Sequence, residues 1–283
     1  MIDSLDRHLT QLRALLDDME SVLVTFSGGV DSALVVALAR EQLGDDVVAL
    51  TALSPTFPPE ELQVARELTA LLEVHHVEVD SHELEREGYA RNDGDRCYFC
   101  KSELFELARD RARQLDIPWV LDGTISDDLG GHRPGLVAAR ENTIRHPLVE
   151  AGFDKAMVRE AARRMGLPVW SKPSFACLGS RFPVGTRVNA ERLGQVQQVE
   201  SSLRLLGLRQ FRARWHELEG QPMVRIEVDP DAIEFLVRPD LRRSVVATCR
   251  DAGFRWVTLD LQGYQEGSLS HAIGGEPGPE SEA

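Results

Sequence analysis

Hydrophobic residues follow two patterns along the first half of the chain. Short runs that are apolar almost throughout are typical of buried parallel strands, whereas apolar residues at helical spacing are typical of amphipathic helices. Four runs predict strands, at 21–26, 46–53, 74–80 and 119–123. Four stretches predict helices, at 4–17, 33–43, 60–73 and 97–115. Their alternation predicts a doubly wound, Rossmann-like α/β sheet, whose ligands belong at the carboxyl ends of the parallel strands.

The pattern changes in the second half of the chain. The predicted elements there are helices at 154–165, 189–206 and 239–252, and strands at 211–216, 223–228 and 256–261. The first two of these strands alternate apolar and polar residues around a hairpin turn, which is typical of half-buried antiparallel pairs. We therefore expect a large domain at 1–185, a smaller α+β domain at 186–264, and a disordered tail at 265–283.

A glycine-rich loop joins the first predicted strand to the helix at 33–43. It reads Ser27-Gly28-Gly29-Val30-Asp31-Ser32. Two consecutive glycines allow a bulky anion to approach the backbone closely, and the helix start adds free N–H donors. Asp31 stands where an N-cap residue is favoured. The loop predicts a phosphate cradle; a plain Gly-Gly turn with a capping Asp is the alternative.

This loop resembles the SGGxDS signature of the PP-loop ATP pyrophosphatase superfamily, and it fits neither the Walker nor the Rossmann fingerprint. The resemblance implies that ATP is cleaved between its α- and β-phosphates, usually with adenylation of the substrate. Asp127 and Asp128 follow the strand at 119–123, where carboxylates could meet the Mg²⁺ of ATP; a turn or helix cap is their alternative role. The predicted ATP-binding residues are Ser27, Gly28, Gly29, Asp31, Ser32, Thr51, Gly123 and Asp127.

Composition narrows the class of protein. The net charge of −14 argues against a broad nucleic-acid-binding surface, and no apolar run approaches the length of a membrane span. The first twenty residues read as an acidic amphipathic helix and not as a secretory signal. Four cysteines are too few to indicate a disulfide framework in 283 residues. We expect a cytoplasmic enzyme with reduced thiols.

Cys177 lies in a second informative stretch, Lys172 to Pro183, and is followed closely by Ser180 and Arg181. A thiol becomes a nucleophile when neighbouring cations lower its pKa, and the second domain adds Arg212 and Arg214. A lone cysteine beside apolar residues can instead be core filler. The prolines and glycines of this stretch favour a loop and hence a reactive thiol.

Several motifs together make the chain similar to the LarE family of ATP-dependent sulfur transferases. The similarity covers about residues 15 to 262. The motifs are SGGVDS at 27–32, RCYFCKSELF at 96–105, DGTISDD at 122–128, RPGL at 133–136, HPLVEAG at 146–152, KPSFACLGSR at 172–181, and the segments 212–216 and 225–228.

The resemblance implies a step in making the nickel-pincer nucleotide cofactor of lactate racemase. The family's substrate is pyridinium-3,5-biscarboxylic acid mononucleotide, whose carboxylate is adenylated and then converted to a thiocarboxylate. In the sacrificial form, the cysteine that corresponds to Cys177 gives up its sulfur and becomes dehydroalanine. The resemblance also implies a homo-oligomer.

The same resemblance suggests residues for substrate and metal. Ser180, Arg181, Arg212 and Arg214 are the predicted ligands of the substrate's phosphate and carboxylates, since arginine offers a planar fork of donors. Glu200 and Asp231 are predicted at a nearby divalent metal, with solvated helix positions as their alternative.

Cys97 and Cys100 form a Cys-x-x-Cys that the sacrificial form lacks. With Cys177 they could hold a four-iron four-sulfur cluster that leaves one iron open for an added sulfide. The alternatives are a redox pair, a zinc site with His132, and core packing. We expect Cys249 to be a core residue.

Other functions also fit the nucleotide loop. A PP-loop enzyme of tRNA thiolation would need an RNA-binding surface, and an amide-forming one would need an ammonia source. An ATP- or AMP-sensing module would leave the cysteines without a role. We also expect no metal at His75 and His76, because adjacent strand residues point to opposite faces.

Overall fold

The computed structural model describes residues 4–130, 133–173 and 176–265. The chain forms two compact units, Met1–Tyr89 with Asp95–Phe175, and Ala90–Gly94 with Ala176–Ala283. The predicted boundary at 185–186 lies ten residues after the point at which the contacts divide the chain. The predicted tail falls, from residue 266 onward, outside the described residues.

The first unit is an α/β layer structure. Its strands form one parallel sheet in the order β3-β2-β1-β4. These strands are β1 (Val22–Thr25), β2 (Val47–Leu53), β3 (His75–Asp80) and β4 (Trp119–Leu121). The helices are α1 (Ser4–Asp17), α2 (Val30–Leu43), α3 (Pro59–Leu71), α4 (Glu87–Arg91, which runs into the second unit), α5 (Arg96–Gln114), α6 (Pro134–Glu141), α7 (Pro147–Glu150) and α8 (Lys155–Arg164).

Helices cover both faces of this sheet. One face packs Val22, Val24 and Ala49 into a core shared with helices α1, α2, α3 and α8. The opposite face packs Leu23, Leu50 and similar residues against Phe105 of α5 and the alanines of α6. Because both faces are buried, the strands have to be apolar almost throughout, which explains why their hydrophobic runs were readable. The predicted doubly wound fold is confirmed.

Several predicted bounds differ from the structure. Helix α2 begins at Val30 instead of Ala33, so that Asp31 and Ser32 belong to its first turn. Its N-cap residue is Gly29, and the prediction that Asp31 caps the helix was wrong. Helix α6 begins at Pro134, in a part of the chain for which the hydrophobic pattern predicted no helix. Residues 131 and 132, including His132, lie outside the described residues.

The second unit is a small α+β structure, as expected. Its strands β5 (Phe211–Leu218) and β6 (Gln221–Val228) are antiparallel, and β7 (Trp256–Leu259) runs parallel to β6. Its helices are α9 (Ala190–Leu205), α10 (Ile233–Leu236) and α11 (Pro239–Asp251). Short 3₁₀-helices lie at Leu178–Arg181 and Pro230–Ala232.

The alternation along β5 and β6 separates two faces of the small sheet. Ala213, Trp215, Val224 and Ile226 are buried and apolar, whereas the polar face carries arginines and Glu227. Cys249 of α11 is fully buried, and burial raises the pKa of its thiol to about 12. The prediction that Cys249 is a core residue is confirmed.

Residues 90–94 join the second unit through the buried Asn92 side chain and through backbone hydrogen bonds. The Asn92 amide donates to the carbonyl oxygens of Pro183, at 2.8 Å, and Thr186, at 3.3 Å. The Asn92 carbonyl in turn accepts from the Gly185 N–H at 2.8 Å. The second unit is therefore built from two separate pieces of the chain.

In the portion of the chain that the structure describes, no helix is both long enough and apolar enough to cross a membrane.

Candidate functional site

The loop after β1 is shaped by its two glycines. Gly28 has a φ of +67°, and a Cβ atom added to it would lie 3.1 Å from the Ala65 backbone nitrogen of α3. A side chain is disfavoured here on both grounds, so the backbone can bend tightly between strand and helix. Gly29 follows with extended dihedral angles and caps α2 without a side chain. The first turn of α2 therefore presents backbone N–H groups without a capping oxygen, an arrangement suited to an anion.

Serine hydroxyls hold the loop to the helix. Ser32 Oγ donates to the Gly29 carbonyl at 3.2 Å and lies 3.3 Å from Ser27 Oγ. Ser32 is buried, whereas Ser27 is exposed. Of the two hydroxyls, that of Ser27 is the one that faces solvent beside the loop.

Two lysines lie beside the loop, and each contacts a carboxylate. Lys155 Nζ is 2.7 Å from an Asp31 oxygen, in a pair whose side chains are about three-quarters buried. Lys172 Nζ is 2.6 Å from Glu61 Oε2 and 3.4 Å from the Gly28 carbonyl oxygen. Lys155 thus places a cationic side chain next to the first turn of α2, and Lys172 places one next to the loop backbone. Both lysines are of the type that contacts phosphates.

Thr51 ties the second strand to the residue that precedes the loop. Its Oγ1 donates to the Phe26 carbonyl at 2.7 Å and lies 2.8 Å from His76 Nε2. The His76 ring packs edge-on against Phe26. Burial lowers the pKa of His76, and this outweighs the attraction of Glu78. His76 is half-buried while His75 is exposed, as expected for adjacent residues of a strand.

Gly123 provides a close approach between β4 and the nucleotide loop. A Cβ atom at this position would lie 2.7 Å from the Ser32 backbone nitrogen, which is closer than real contacts allow. The preceding residue, Asp122, is buried and accepts from His146 Nδ1 at 2.7 Å and from the Thr124 hydroxyl at 2.7 Å. Burial acts to raise the pKa of Asp122, but the His146 hydrogen bond and the charge of Lys101 outweigh it and lower that pKa. Asp122 therefore fixes the backbone that follows β4, at Gly123 and Thr124.

The two carboxylates predicted for magnesium have different surroundings. Asp127 is exposed and accepts from the Lys155 backbone N–H at 3.2 Å. Asp128 accepts from the Ile125 N–H at 3.3 Å and so caps a short 3₁₀-helix. The cap that we kept as an alternative is thus the role of Asp128, while Asp127 stays close to the Lys155–Asp31 pair. All eight predicted ATP-binding residues lie in one connected region at the carboxyl ends of β1, β2 and β4.

In the second unit, Arg181 is the largest fully buried side chain. Its Nε and Nη2 atoms donate to the two Glu200 oxygens at 2.8 and 2.9 Å. Its Nη1 lies 2.6 Å from the Ala176 carbonyl oxygen, 3.2 Å from the Cys177 carbonyl oxygen and 2.8 Å from Ser180 Oγ. Arg181 therefore points into the turn formed by residues 176–180, which we call the Cys177 turn.

Glu200 is 3% exposed, so the alternative of a solvated helix position was wrong for it. Besides Arg181, it accepts from the Ala213 N–H of β5 at 2.9 Å. The carboxylate is thus a bridge between the Cys177 turn and the small sheet. Its role as a metal ligand stays a prediction.

A second buried ion pair lies on the polar face of the small sheet. Glu227 is fully buried and contacts Arg214 at 2.8 Å and Arg225 at 3.0 Å. Arg214 also donates to the Ser180 carbonyl at 3.0 Å, which joins this pair to the Cys177 turn. Arg225 continues to Asp260 at 2.7 Å. Charges this deep are stable only when each is paired and hydrogen-bonded.

Arg212 is buried like Arg181 and Arg214, but its contacts are of a different kind. It is 7% exposed, donates to the Phe211 carbonyl at 2.7 Å and lies over the Tyr264 ring, but it forms no ion pair within the described ranges. Burial and the charge of Arg181 lower the pKa of Arg212, against the attraction of Glu200. Asp231 is exposed, and in the described part of the chain its carboxylate accepts no hydrogen bond from these arginines.

The remaining cysteines lie in the first unit. Cys97 and Cys100 stand one turn apart near the start of α5, Cys97 exposed and Cys100 half-buried. Cys177 is also half-buried, so it is not the core filler that we considered. Within the described residues, no group of three or more His, Cys, Asp or Glu side chains could hold a metal ion. Two thiols at this spacing suit one cluster or metal, but the third ligand stays a prediction.

Several residues that contact the candidate-site residues were not predicted from the sequence. Glu61, Asn92 and Lys155 were not selected, because none of them lies in a recognised motif. Lys172 and Glu227 do lie within the motifs at 172–181 and 225–228, but no role was predicted for them. For Lys155, one signal was available: it follows Asp154, an N-cap residue that aims the start of α8.

The chain is similar to known proteins over a part of the first unit and, for two relatives, over nearly its whole length. A family model described as asparagine synthase matches residues 10–92. The chain is 40% identical over 269 residues to slr1717, an uncharacterized protein of Synechocystis sp., covering 95% of this chain and 99% of that protein. It is 36% identical over 264 residues to the pyridinium-3,5-bisthiocarboxylic acid mononucleotide synthase of Lactiplantibacillus plantarum, covering 93% of each chain. A glutamine-hydrolyzing GMP synthase of Lactobacillus acidophilus is 24% identical over 222 residues, which cover 72% of this chain and 43% of that protein.

Proposed function

The chain belongs to the LarE family of PP-loop, ATP-dependent sulfur transferases, and we propose that it converts pyridinium-3,5-biscarboxylic acid mononucleotide to a thiocarboxylate. This reaction is a step toward the nickel-pincer nucleotide that lactate racemase uses. The observation that carries the proposal is the similarity to the synthase of Lactiplantibacillus plantarum over 93% of both chains. That similarity includes the unit with Cys177 and the buried arginines, and it is not confined to the nucleotide loop.

ATP binds, in this proposal, at the carboxyl ends of β1, β2 and β4. The backbone of Ser27 to Ser32 receives the phosphates, and Thr51 and Gly123 shape the surrounding backbone. Lys155 exchanges Asp31 for a phosphate oxygen, since a triphosphate carries more charge than one carboxylate. Asp31 and Asp127 then become available for the Mg²⁺ that accompanies ATP.

The substrate carboxylate attacks the α-phosphate, and pyrophosphate leaves. This exchanges a poor leaving group for AMP, which a sulfur nucleophile can displace. Arg212 supports binding of the substrate's anionic groups, because its guanidinium has no carboxylate partner within the described residues. Ser180 and Arg214 extend the same polar region.

Cys177 is the sulfur donor in this proposal. Its thiolate attacks the acyl adenylate, and the resulting thioester then releases the thiocarboxylate, so that each chain reacts once. Cys97 and Cys100 leave a second route open, in which a four-iron four-sulfur cluster held with Cys177 supplies sulfide and no cysteine is lost. An anaerobic assay of iron and acid-labile sulfide, combined with the intact mass after turnover, separates these two routes.

The test of the proposed function is a reaction with ATP, Mg²⁺ and the dicarboxylate mononucleotide, followed for pyrophosphate and for the thiocarboxylate product. We expect both products from the wild-type chain. The Cys177→Ala variant should release pyrophosphate but form no thiocarboxylate, because activation precedes sulfur transfer. Thiocarboxylate formation by Cys177→Ala at the wild-type level would contradict the assignment. Release of pyrophosphate only in the presence of ammonia would favour an amide-forming enzyme instead.

A further inference from the structure

Two N–H donors converge on the carbonyl oxygen of Cys177. The Ser180 backbone N–H donates to it at 2.9 Å, as the first hydrogen bond of the 3₁₀-helix Leu178–Arg181. Arg181 Nη1 donates to the same oxygen at 3.2 Å. A backbone turn accounts for the first donor, but it does not require a guanidinium as the second.

The guanidinium is held rigidly in this position. Arg181 is fully buried, and both Glu200 oxygens fix its Nε and Nη2 atoms. Nη1 also reaches the Ala176 carbonyl oxygen and Ser180 Oγ on either side of Cys177. A donor that is buried and already oriented stabilises developing charge more strongly than a solvated one, since no reorganisation is needed.

The chemistry of a sacrificed cysteine places charge on this same oxygen. In the thioester intermediate, the substrate acyl group is bonded to the Cys177 sulfur. Loss of the Cα proton to solvent base puts the electron pair on Cα and, by resonance, on the Cys177 carbonyl oxygen. That pair then forms the Cα–Cβ double bond, the Cβ–S bond breaks, and the sulfur leaves with its electrons as the thiocarboxylate. The residue that remains is dehydroalanine, and atoms and charge balance without a further reactant.

We propose that Arg181 stabilises the enolate-like charge on the Cys177 carbonyl during this elimination, together with the Ser180 N–H. The inference rests on the proposed function only in assigning the sulfur of Cys177 to the product. It changes the expected role of Arg181, which we had assigned to substrate binding. Glu200 is then a positioning residue, which aims the guanidinium through its two hydrogen bonds.

A purely structural Arg181 would hold the turn without influencing the elimination. The two roles differ in a chemical readout that needs neither ATP nor the nucleotide substrate. A cyanylated cysteine reacts in one of two ways. Abstraction of its α-proton expels thiocyanate from the side chain and leaves dehydroalanine. Alternatively, a nucleophile attacks the carbonyl group of the preceding residue and cleaves the peptide bond. The first reaction places charge on the Cys177 carbonyl oxygen, and the second places it on the Ala176 carbonyl oxygen, to which Arg181 Nη1 also donates. The rate of elimination, measured separately from the rate of cleavage, is therefore the readout.

The experiment uses the full chain with Cys97→Ser and Cys100→Ser, so that cyanylation is directed to Cys177. Cys249 is fully buried, with a pKa raised to about 12, and should not react. Intact mass followed over time at mildly alkaline pH gives the rate constants of elimination and of cleavage separately. We expect the rate constant of elimination to fall by about 100-fold in Arg181→Gln, as when an oxyanion-hole donor is removed. Arg181→Lys, which keeps the charge, should lose less.

Arg192→Gln is the matched control. Arg192 also belongs to the second unit, but it stacks on the Trp215 ring, and among the described residues it forms no hydrogen bond with the Cys177 turn. Its rate constant of elimination should equal that of the parent. An unchanged rate constant of elimination in Arg181→Gln and in Arg181→Lys, with the fold verified by circular dichroism, would overturn the inference. If Arg181→Gln does not fold, the comparison of Arg181→Lys with the parent decides.

A second measurement follows turnover in the native-cysteine chain. With ATP and the mononucleotide substrate, Arg181→Lys should release pyrophosphate but accumulate the covalent thioester on Cys177, seen as a mass increase. Rapid formation of dehydroalanine by this variant, at the wild-type rate, would contradict the proposed role. If no pyrophosphate is released by the wild type, the proposed function fails, while the cyanylation result still decides the role of Arg181.

Discussion

The nucleotide loop and the Cys177 turn satisfy their polar groups in opposite ways. The loop relies on glycine dihedral angles and on hydroxyls within five residues of one another, such as Ser27 and Ser32. The Cys177 turn relies on charges that are distant in sequence, since Arg181 is bonded to Glu200 and Arg214 to Ser180 across 34 residues. The first arrangement is local and leaves donors exposed for a ligand. The second is non-local, buried and already occupied by protein partners.

This difference suggests how each region responds to change. A loop defined by backbone geometry should lose ligand affinity when a side chain is added, with a modest effect on stability. A buried charge network should instead lose stability when one member is removed, because its partner remains as an uncompensated charge. Three substitutions test this contrast, in order of decreasing expected effect.

The largest effect is expected from Glu227→Gln. Its carboxylate is fully buried between Arg214 and Arg225, so removing the charge takes away the anion that both guanidinium groups contact, although Arg225 keeps its contact with Asp260. We expect the free energy of unfolding to fall by about 3–5 kcal/mol. Urea unfolding of the purified chain measures it. The control is Glu217→Gln on β5, whose carboxylate is 57% exposed and lies 3.8 Å from Arg192; it should cost less than about 1 kcal/mol. Equal costs for the two variants would contradict the contrast.

A smaller effect on stability, and a clear one on ATP, is expected from Gly123→Ala. The added methyl group would lie 2.7 Å from the Ser32 backbone nitrogen, so the first turn of α2 must shift. We expect a loss of about 1–3 kcal/mol in stability and a rise of about tenfold in KM for ATP. The rate of pyrophosphate release against ATP concentration provides the measurement.

Gly194→Ala is the control for this variant. Gly194 lies within α9 and has nothing within 4 Å of an added Cβ atom. Alanine should be neutral or slightly stabilising there, since it favours the helix. A wild-type KM in Gly123→Ala would show that the close contact is not needed for nucleotide binding.

The smallest effect concerns pH and His76. Burial lowers the pKa of His76 in the folded chain below its unfolded value of about 6.5. The unfolded state therefore binds more protons in this range, and stability is lost as pH falls below about 6.5. His76→Gln keeps a polar group for Thr51 but does not titrate. We expect its free energy of unfolding to change less between pH 7.5 and pH 5.5 than that of the wild type, by less than about 1 kcal/mol.

The control for this comparison is His75→Gln, since His75 is exposed and its neighbour is not. This variant keeps the half-buried His76, so its dependence on pH should differ less from that of the wild type than the dependence of His76→Gln does. His216, whose pKa burial also lowers, contributes in the same direction in all three proteins and so cancels in the comparison. An identical pH dependence for His76→Gln and the wild type would contradict the prediction.

The same contrast explains what could be predicted from the sequence. The four strands of the parallel sheet and helix α1 were readable because each is determined by the hydrophobic pattern of its own residues. The nucleotide loop was readable because Gly28 and Gly29 mark a backbone geometry. Helices α4 and α7 were missed because segments of four or five residues contain too little periodicity.

The surroundings of the candidate site were harder to predict for a physical reason. Glu200 looks like a solvated position on α9 until Arg181, nineteen residues earlier, is placed beside it. Asp31 looks like an N-cap, but the structure caps α2 with Gly29 and pairs Asp31 with Lys155, 124 residues away. A sequence pattern specifies a residue's own secondary structure, whereas the pairing of buried charges depends on contacts that only the folded chain brings together.

Asn92 has a consequence for the order in which the chain is made. Its amide is buried against Pro183 and Thr186, and the first of these partners follows it by 91 residues. At about 5–20 residues per second, a ribosome needs roughly 5–20 seconds to synthesise that interval. The residues around Asn92 must therefore wait, already outside the ribosome, for the rest of their unit. A nascent chain that stops before Pro183 lacks these acceptors. The second unit can therefore complete its fold only after its later piece has been synthesised, although its first piece is made much earlier.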